Sequence, residues 1–176
     1  MSRLFLLLLV ATAPLLAQTP ASPSHRKPPA PAANDDKLLD KIGALQNRAR
    51  QILKAELSRR PDPACNPEKL SNNTLDDCFA ADGAITERNY QAFAEALKAS
   101  LAIQLSDVDP KIFPPPSRNF ATGEVAWRTF VNKTCAALGD TFVGGTISPI
   151  EMTGCHQDLT RQHMKDLNET FLKQNE

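Results

Sequence analysis

The side chains in this sequence with the most definite chemistry are its four cysteines, at positions 65, 78, 135 and 155. Such thiols act as nucleophiles, ligate metal or pair. A four-cysteine zinc site would want the tight C-x2-4-C spacing, and neither Cys65/Cys78 nor Cys135/Cys155 has it. An even number of cysteines in an exported chain reads as a disulfide framework. Four cysteines allow three connectivities. Cys65–Cys78 with Cys135–Cys155 is the expected set, because each bridge closes a short local loop. Closing a loop of that size contributes roughly 3 kcal/mol by the chain-entropy argument. With both bridges formed, no thiol remains to attack a substrate.

Other catalytic constellations are absent. The sequence has no G-x-S-x-G, no H-E-x-x-H and no phosphate-cradling P-loop. His156 and His163 stand seven residues apart, too far for the usual i, i+4 chelation of a metal. His163 falls between Leu159 and Leu167 and reads as a satisfied histidine at the edge of the core. Asp76 and Asp77 are adjacent, so on a helix they point apart and suit a solvated helix start rather than a pair of catalytic acids. Asp82 lies on an apolar stripe, where a carboxylate needs partners; a basic residue or backbone amides of a neighbouring helix would supply them. The expectation is a binding protein, not an enzyme, without metal or cofactor.

Charge narrows the partners. Lys+Arg and Asp+Glu both number 20, so nothing global favours nucleic acid or an anionic membrane. The balance is locally uneven. Between positions 62 and 87 the acids Asp62, Glu68, Asp76, Asp77, Asp82 and Glu87 face Lys69 alone. An acidic face of this kind steers a basic partner.

The elements that position these groups follow from punctuation and periodicity. Met1 to Arg3 is a short basic start, residues 4–16 are almost wholly apolar, and Ala17 suits cleavage by signal peptidase. Residues 1–17 therefore read as a secretory signal. The apolar run is short of the roughly 18 residues that span a bilayer, so no stable membrane anchor is expected. Residues 18–34 are Pro-rich and free of aromatics, the composition of a semi-extended linker; His25 lies there.

Asn34 can cap a first helix over 35–60, with Asp35 and Asp36 in its first turn. Leu38, Leu39, Ile42, Leu45, Ala49, Ile52 and Leu53 recur at helical spacing, and Pro61 and Pro63 stop the run. A second helix starts within 71–74 and carries Leu75, Cys78, Phe79, Ile85, Phe93, Leu97 and Leu101. Four prolines between 109 and 117 mark a loop. A third helix presents Phe120, Trp127, Phe130, Val131, Cys135 and Leu138, until Gly139, Gly144 and Gly145 break it. Pro149 opens a fourth helix, with Met152, Cys155, Leu159, Leu167 and Phe171. Thr141 to Ile147 is the one β-leaning stretch. The expected fold is all-α: a small, disulfide-stapled bundle of about four helices. Trp127, the single tryptophan, is expected in its core.

The order of these residues resembles the LprI-type lysozyme-inhibitor domain of bacterial envelope proteins. The resemblance rests on CNPEKLSNNTLDDC, then Ala81-Asp82 and Tyr90. It continues through EVAWRTFVNKTC, the glycines and threonine at 144–146, Cys155 and Leu159-Thr160. It covers about two-thirds of the chain and places a domain at 61–174, with the first helix as an extra element. This chain departs from the family pattern at four places. Ile85-Thr86 stands where Leu-Asn is usual, and Tyr90 comes one residue late. Glu124 replaces a Gln, and His163 replaces an Arg, with Arg161 nearby but out of register.

The resemblance implies a helical, periplasmic or secreted domain that binds a protein partner, in some relatives a lysozyme. Lysozymes are commonly basic and work with two carboxylates in a cleft. The glycine loop over 139–149, with Gly144, Gly145 and Thr146, is the expected contact, and Asp76 and Asp77 are further candidate contacts. The alternative is an envelope structural or interaction module with no effect on lysozyme.

Overall fold

The structure is a computed structural model, and it describes residues 33–66, 68–105, 108–142 and 145–173. The expected secretory signal, most of the expected Pro-rich linker, His25 and Gly144 lie outside the described residues. Four helices form: α1 (Ala33–Ser58), α2 (Asn72–Leu101), α3 (Ser117–Asp140) and α4 (Ser148–Phe171). No strand occurs among the described residues, those of the β-leaning stretch included. The protein is an all-α bundle.

Local chemistry explains most of the helix ends. Ser71 caps α2, its Oγ accepting from the Thr74 backbone N–H at 3.4 Å. Three consecutive prolines immediately precede α3 at Ser117, because proline N–H groups are missing and the residue before each is pushed away from helix. Pro149 sits in the first turn of α4, where a missing N–H costs nothing.

Two ends differ from the sequence expectation. Helix α1 already starts at Ala33, so Asn34 lies inside it rather than capping it. Helix α3 runs through Gly139 to Asp140. Gly139 is buried against α4, and a Cβ there would lie 2.5 Å from Met152 Cγ and Sδ. The glycine therefore allows a close helix crossing rather than breaking the helix. Ser148 Oγ, at the start of α4, donates to the Gly139 carbonyl at 3.0 Å and satisfies one of the last carbonyls of α3.

The core gathers Ala49 and Leu53 of α1, Tyr90, Phe93, Ala96 and Leu97 of α2, Phe120 of α3, and Met164, Leu167 and Leu172 at the end of the chain. Helix α1 packs along α2 and also meets α4, so it is a full member of the bundle rather than an appendage. Its Arg50 Nη2 reaches across to donate to the Leu172 carbonyl at 2.6 Å, closing the C-terminal end of α4. Helix α3 packs mainly on α4.

The stripes needed adjusting on three helices. On α1, Leu39 is half exposed while Ala49 and Leu53 are buried. On α3, the buried line is Phe120, Val131, Cys135 and Gly139. Phe130 (57% exposed) and Leu138 each sit about 100° off that line and face out. Trp127 is half-buried and packs against the core without forming its centre. On α4 the buried face is Ile150, Gln157, Thr160, Met164 and Leu167, more polar than the apolar stripe implied.

Both expected disulfides form. Cys65–Cys78 ties the α1–α2 connection to α2, and Cys135–Cys155 ties α3 to α4, with Cα separations of 5.7 and 5.6 Å. Two such bridges fit an oxidising, exported location. No described helix is long and apolar enough to cross a membrane.

Candidate functional site

Helix α2 places Asp82, Thr86 and Asn89 on one face, at i, i+4 and i+7. Against that face the last turn of α1 brings Glu56, followed by Arg59, and α4 brings Arg161. The Glu56 side chain is fully buried. It accepts from Arg59 Nε and Nη2 at 3.1 and 2.9 Å, from Arg161 Nε at 2.9 Å, from Asn89 Nδ2 at 2.7 Å and from the Thr86 hydroxyl at 2.9 Å. Arg59 also pairs with the Asp82 carboxylate, and Arg161 Nη2 approaches it at 3.4 Å. Asp82 thus sits on the apolar stripe with two guanidinium partners. Burial alone would raise the Glu56 carboxyl, but the hydrogen bonds from Arg59, Asn89, Arg161 and Thr86 outweigh it and hold the group down to about 2.

Above this network lies a groove of about 800 Å3. The α1–α2 connection with the Cys65–Cys78 bridge forms one wall, and α2 and α4 form the others. Phe79 and Ile85 give it apolar surface, and Asp62, Asp77 and Asp158 stand in its walls. Asp77 and Asp158 are both exposed.

A second polar cluster joins α2, α3 and α4 beside the core. Glu124 accepts from the Tyr90 hydroxyl and contacts His163 Nε2 at 2.9 Å. The His163 ring stacks on Trp127 with centroids 4.0 Å apart and planes 8° from parallel. Tyr90 leans on Trp127 at 5.1 Å, and Arg128 lies over the Tyr90 ring while pairing with Glu87 at 2.8 Å. Burial would raise the Glu124 carboxyl, but the hydrogen bonds from His163 and Tyr90 pull it below the ordinary value; burial and the same carboxylate push the Tyr90 phenol up.

The groups of this cluster saturate one another. Glu124→Ala is therefore expected to leave a buried phenol without its acceptor and to destabilise by roughly 1–3 kcal/mol, whereas Glu124→Gln retains an acceptor and should lose less. Urea unfolding of the two variants distinguishes these; equal loss would show that the hydrogen bonds contribute nothing beyond shape. Because the folded-state carboxyl titrates low, its share of stability is present at neutral pH and disappears as pH falls below the ordinary carboxylate range.

The loop and the candidate acids come together at the N-terminal end of α2. Asn72 Nδ2 donates to Thr146 Oγ1 at 2.5 Å, which brings the loop between α3 and α4 onto the first turn of α2. Gly145 and Thr146 are exposed there, Asp76 is half-buried and Asp77 exposed one turn further along. The acidic face is smaller than the sequence suggested. Asp82 and Glu87 are spent in ion pairs with Arg59 just beyond α1, Arg161 of α4 and Arg128 of α3, which leaves Asp62, Glu68, Asp76 and Asp77.

His156 and His163 lie in different surroundings: His156 borders a shallow hollow with Thr153 and Glu87, while His163 faces Glu124. No group of three or more potential metal ligands forms among the described residues.

Sequence reasoning missed Glu56, Arg161 and the Glu124–His163 contact. Nothing in the local pattern of α1 distinguishes Glu56 from the other polar residues of an amphipathic helix. The usable signal was Asp82 on its apolar stripe, which demanded cations from elsewhere. Comparison with family models, curated proteins and solved structures gives no match to this chain.

Proposed function

We propose that the protein is a periplasmic or secreted binding protein that blocks a lysozyme-type glycosidase, presenting the loop between α3 and α4 to the enzyme's cleft. The observation that carries this reading is the Asn72–Thr146 hydrogen bond. It holds the exposed Gly145-Thr146 segment beside the acidic start of α2. The Cys135–Cys155 bridge braces the two helices from which the loop springs. A Gly145-Thr146 segment held in this way loses little conformational freedom on binding, and pre-organisation of that kind favours affinity. Asp76 and Asp77 beside it would speed encounter with a basic enzyme and make binding salt-dependent. The resemblance to the LprI-type domain supports the same reading.

Purified protein should slow the clearing of a cell-wall suspension by lysozyme. Asn72→Ala and Thr146→Ala should weaken the effect, and raised salt should weaken it further. No slowing at large molar excess over several lysozymes of different classes would sink the proposal.

A further inference from the structure

The groove over the Arg59–Asp82–Arg161 floor is not lined by Gly145 or Thr146 and shares only Asp77 with the contacts proposed above, and its charge pattern indicates what fits it. The floor is internally neutralised. Arg59 and Arg161 are engaged by Glu56 and Asp82, so they offer little unspent positive charge to an anion. The walls differ. Asp77 of α2 and Asp158 of α4 are exposed and rise from separate helices, with Asp62 on the α1–α2 connection. Arg60 is the one cation of the lining outside the floor. Unspent charge in the groove is therefore negative. Between the acids, Phe79, Ile85 and the Cys65–Cys78 bridge provide apolar surface.

An alkyl stem carrying a cation matches both features, since lysine covers apolar surface with its methylenes while its ammonium seeks acids. The volume of about 800 Å3 falls within the range of small-ligand sites, roughly 300–1,000 Å3, and exceeds what one lysine side chain fills. We propose that this groove binds a short, extended, lysine-containing peptide segment of a partner protein. Its ammonium groups lie against Asp77 and Asp158, and its aliphatic parts lie on Phe79 and Ile85.

The floor explains why such a site is rigid. Glu56, Asp82 and Thr86 hold both guanidinium groups in place from beneath, so the groove does not need to form on binding. The site shares Asp77 with the acidic contact proposed above, but the loop residues Gly145 and Thr146 do not line it. A failed lysis assay leaves it intact, and a failed peptide assay leaves the loop reading intact.

The probe is a fluorescein-labelled peptide, KLKLK, blocked at its C-terminus, titrated with the full exported chain, disulfides intact, at low salt and followed by anisotropy. Saturable binding is expected, weakened at least tenfold when the peptide lysines are acetylated. The double variant Asp77→Asn/Asp158→Asn should weaken binding to a similar degree; both residues are exposed, so its circular dichroism should match the parent. Phe79→Ala should weaken binding with the charges left in place, and Thr146→Ala should leave it unchanged. Absence of binding overturns the proposal. So do equal affinity for the acetylated peptide, tighter binding of the acidic peptide ELELE, or full binding by the double variant.

Discussion

Replacing Glu56 with alanine is expected to destabilise the protein by roughly 3–5 kcal/mol, the cost of removing one member of a buried ion network. The side chain has no solvent exposure and answers two guanidinium groups at once. Without it, Arg59 and Arg161 share Asp82 alone and repel each other in a poorly solvated space. Glu56→Gln keeps the shape and some hydrogen bonds but not the charge, and should fall between parent and alanine. Urea unfolding at neutral pH measures both losses. A loss under about 1 kcal/mol for the alanine variant would mean that desolvation and attraction nearly cancel at this site.

The same network predicts an acid limb. The Glu56 carboxyl is depressed from 4.5 to about 2 in the folded protein. Its stabilising contribution is therefore complete above the unfolded value and is lost as pH falls through the folded one, between about 4.5 and 2. The parent should lose stability steeply in that window, and Glu56→Gln should lose less there because nothing at position 56 remains to be protonated.

The second large effect concerns the staple between α3 and α4. Substituting Cys135 and Cys155 together with serine should cost roughly 2–5 kcal/mol, the range for native bridges in small exported domains. Cys135 is fully buried, and the bridge spans a separation of 20 residues. Helix α3 packs mainly on α4 and only lightly on α2, so the bridge lies in its main interface. The Cys65–Cys78 bridge spans 13 residues between half-buried positions, and its removal should cost less. Chemical denaturation of the two double variants ranks them; equal or reversed losses would show that packing, not the bridge, secures α3.

Punctuation residues made the fold legible. Ser71, the prolines before Ser117 and Pro149 act through their own backbone chemistry, so the ends they set agree with the structure. The disulfide pairs were legible because nearness in sequence lowers the entropy of closing a loop. The stripes were less so. Periodicity gives the face of a helix only to within a residue, and Phe130 and Leu138 fell one place off the line that Val131 and Gly139 occupy. The polar clusters were least legible. Glu56 meets Arg161 across more than a hundred residues of chain, and no local rule connects them. Thr86, Tyr90, Glu124 and His163 all belong to the two clusters, and the last two touch each other.

Helix α1 supplies Ala49 and Leu53 to the core, Glu56 to the ion network and the Arg50 donor that closes α4. A fragment beginning at Pro61 would keep all four cysteines, yet it would expose the α2 surface that α1 covers and strand Arg161 beside Asp82 without the shared carboxylate. Processing of this chain therefore has a limit. A cut between α1 and α2 severs a structural component of the bundle. Proteolysis at 59–64 would leave the two pieces associated only as long as α1 stays docked, whereas a cut just after Cys65 would leave them joined by the Cys65–Cys78 bridge.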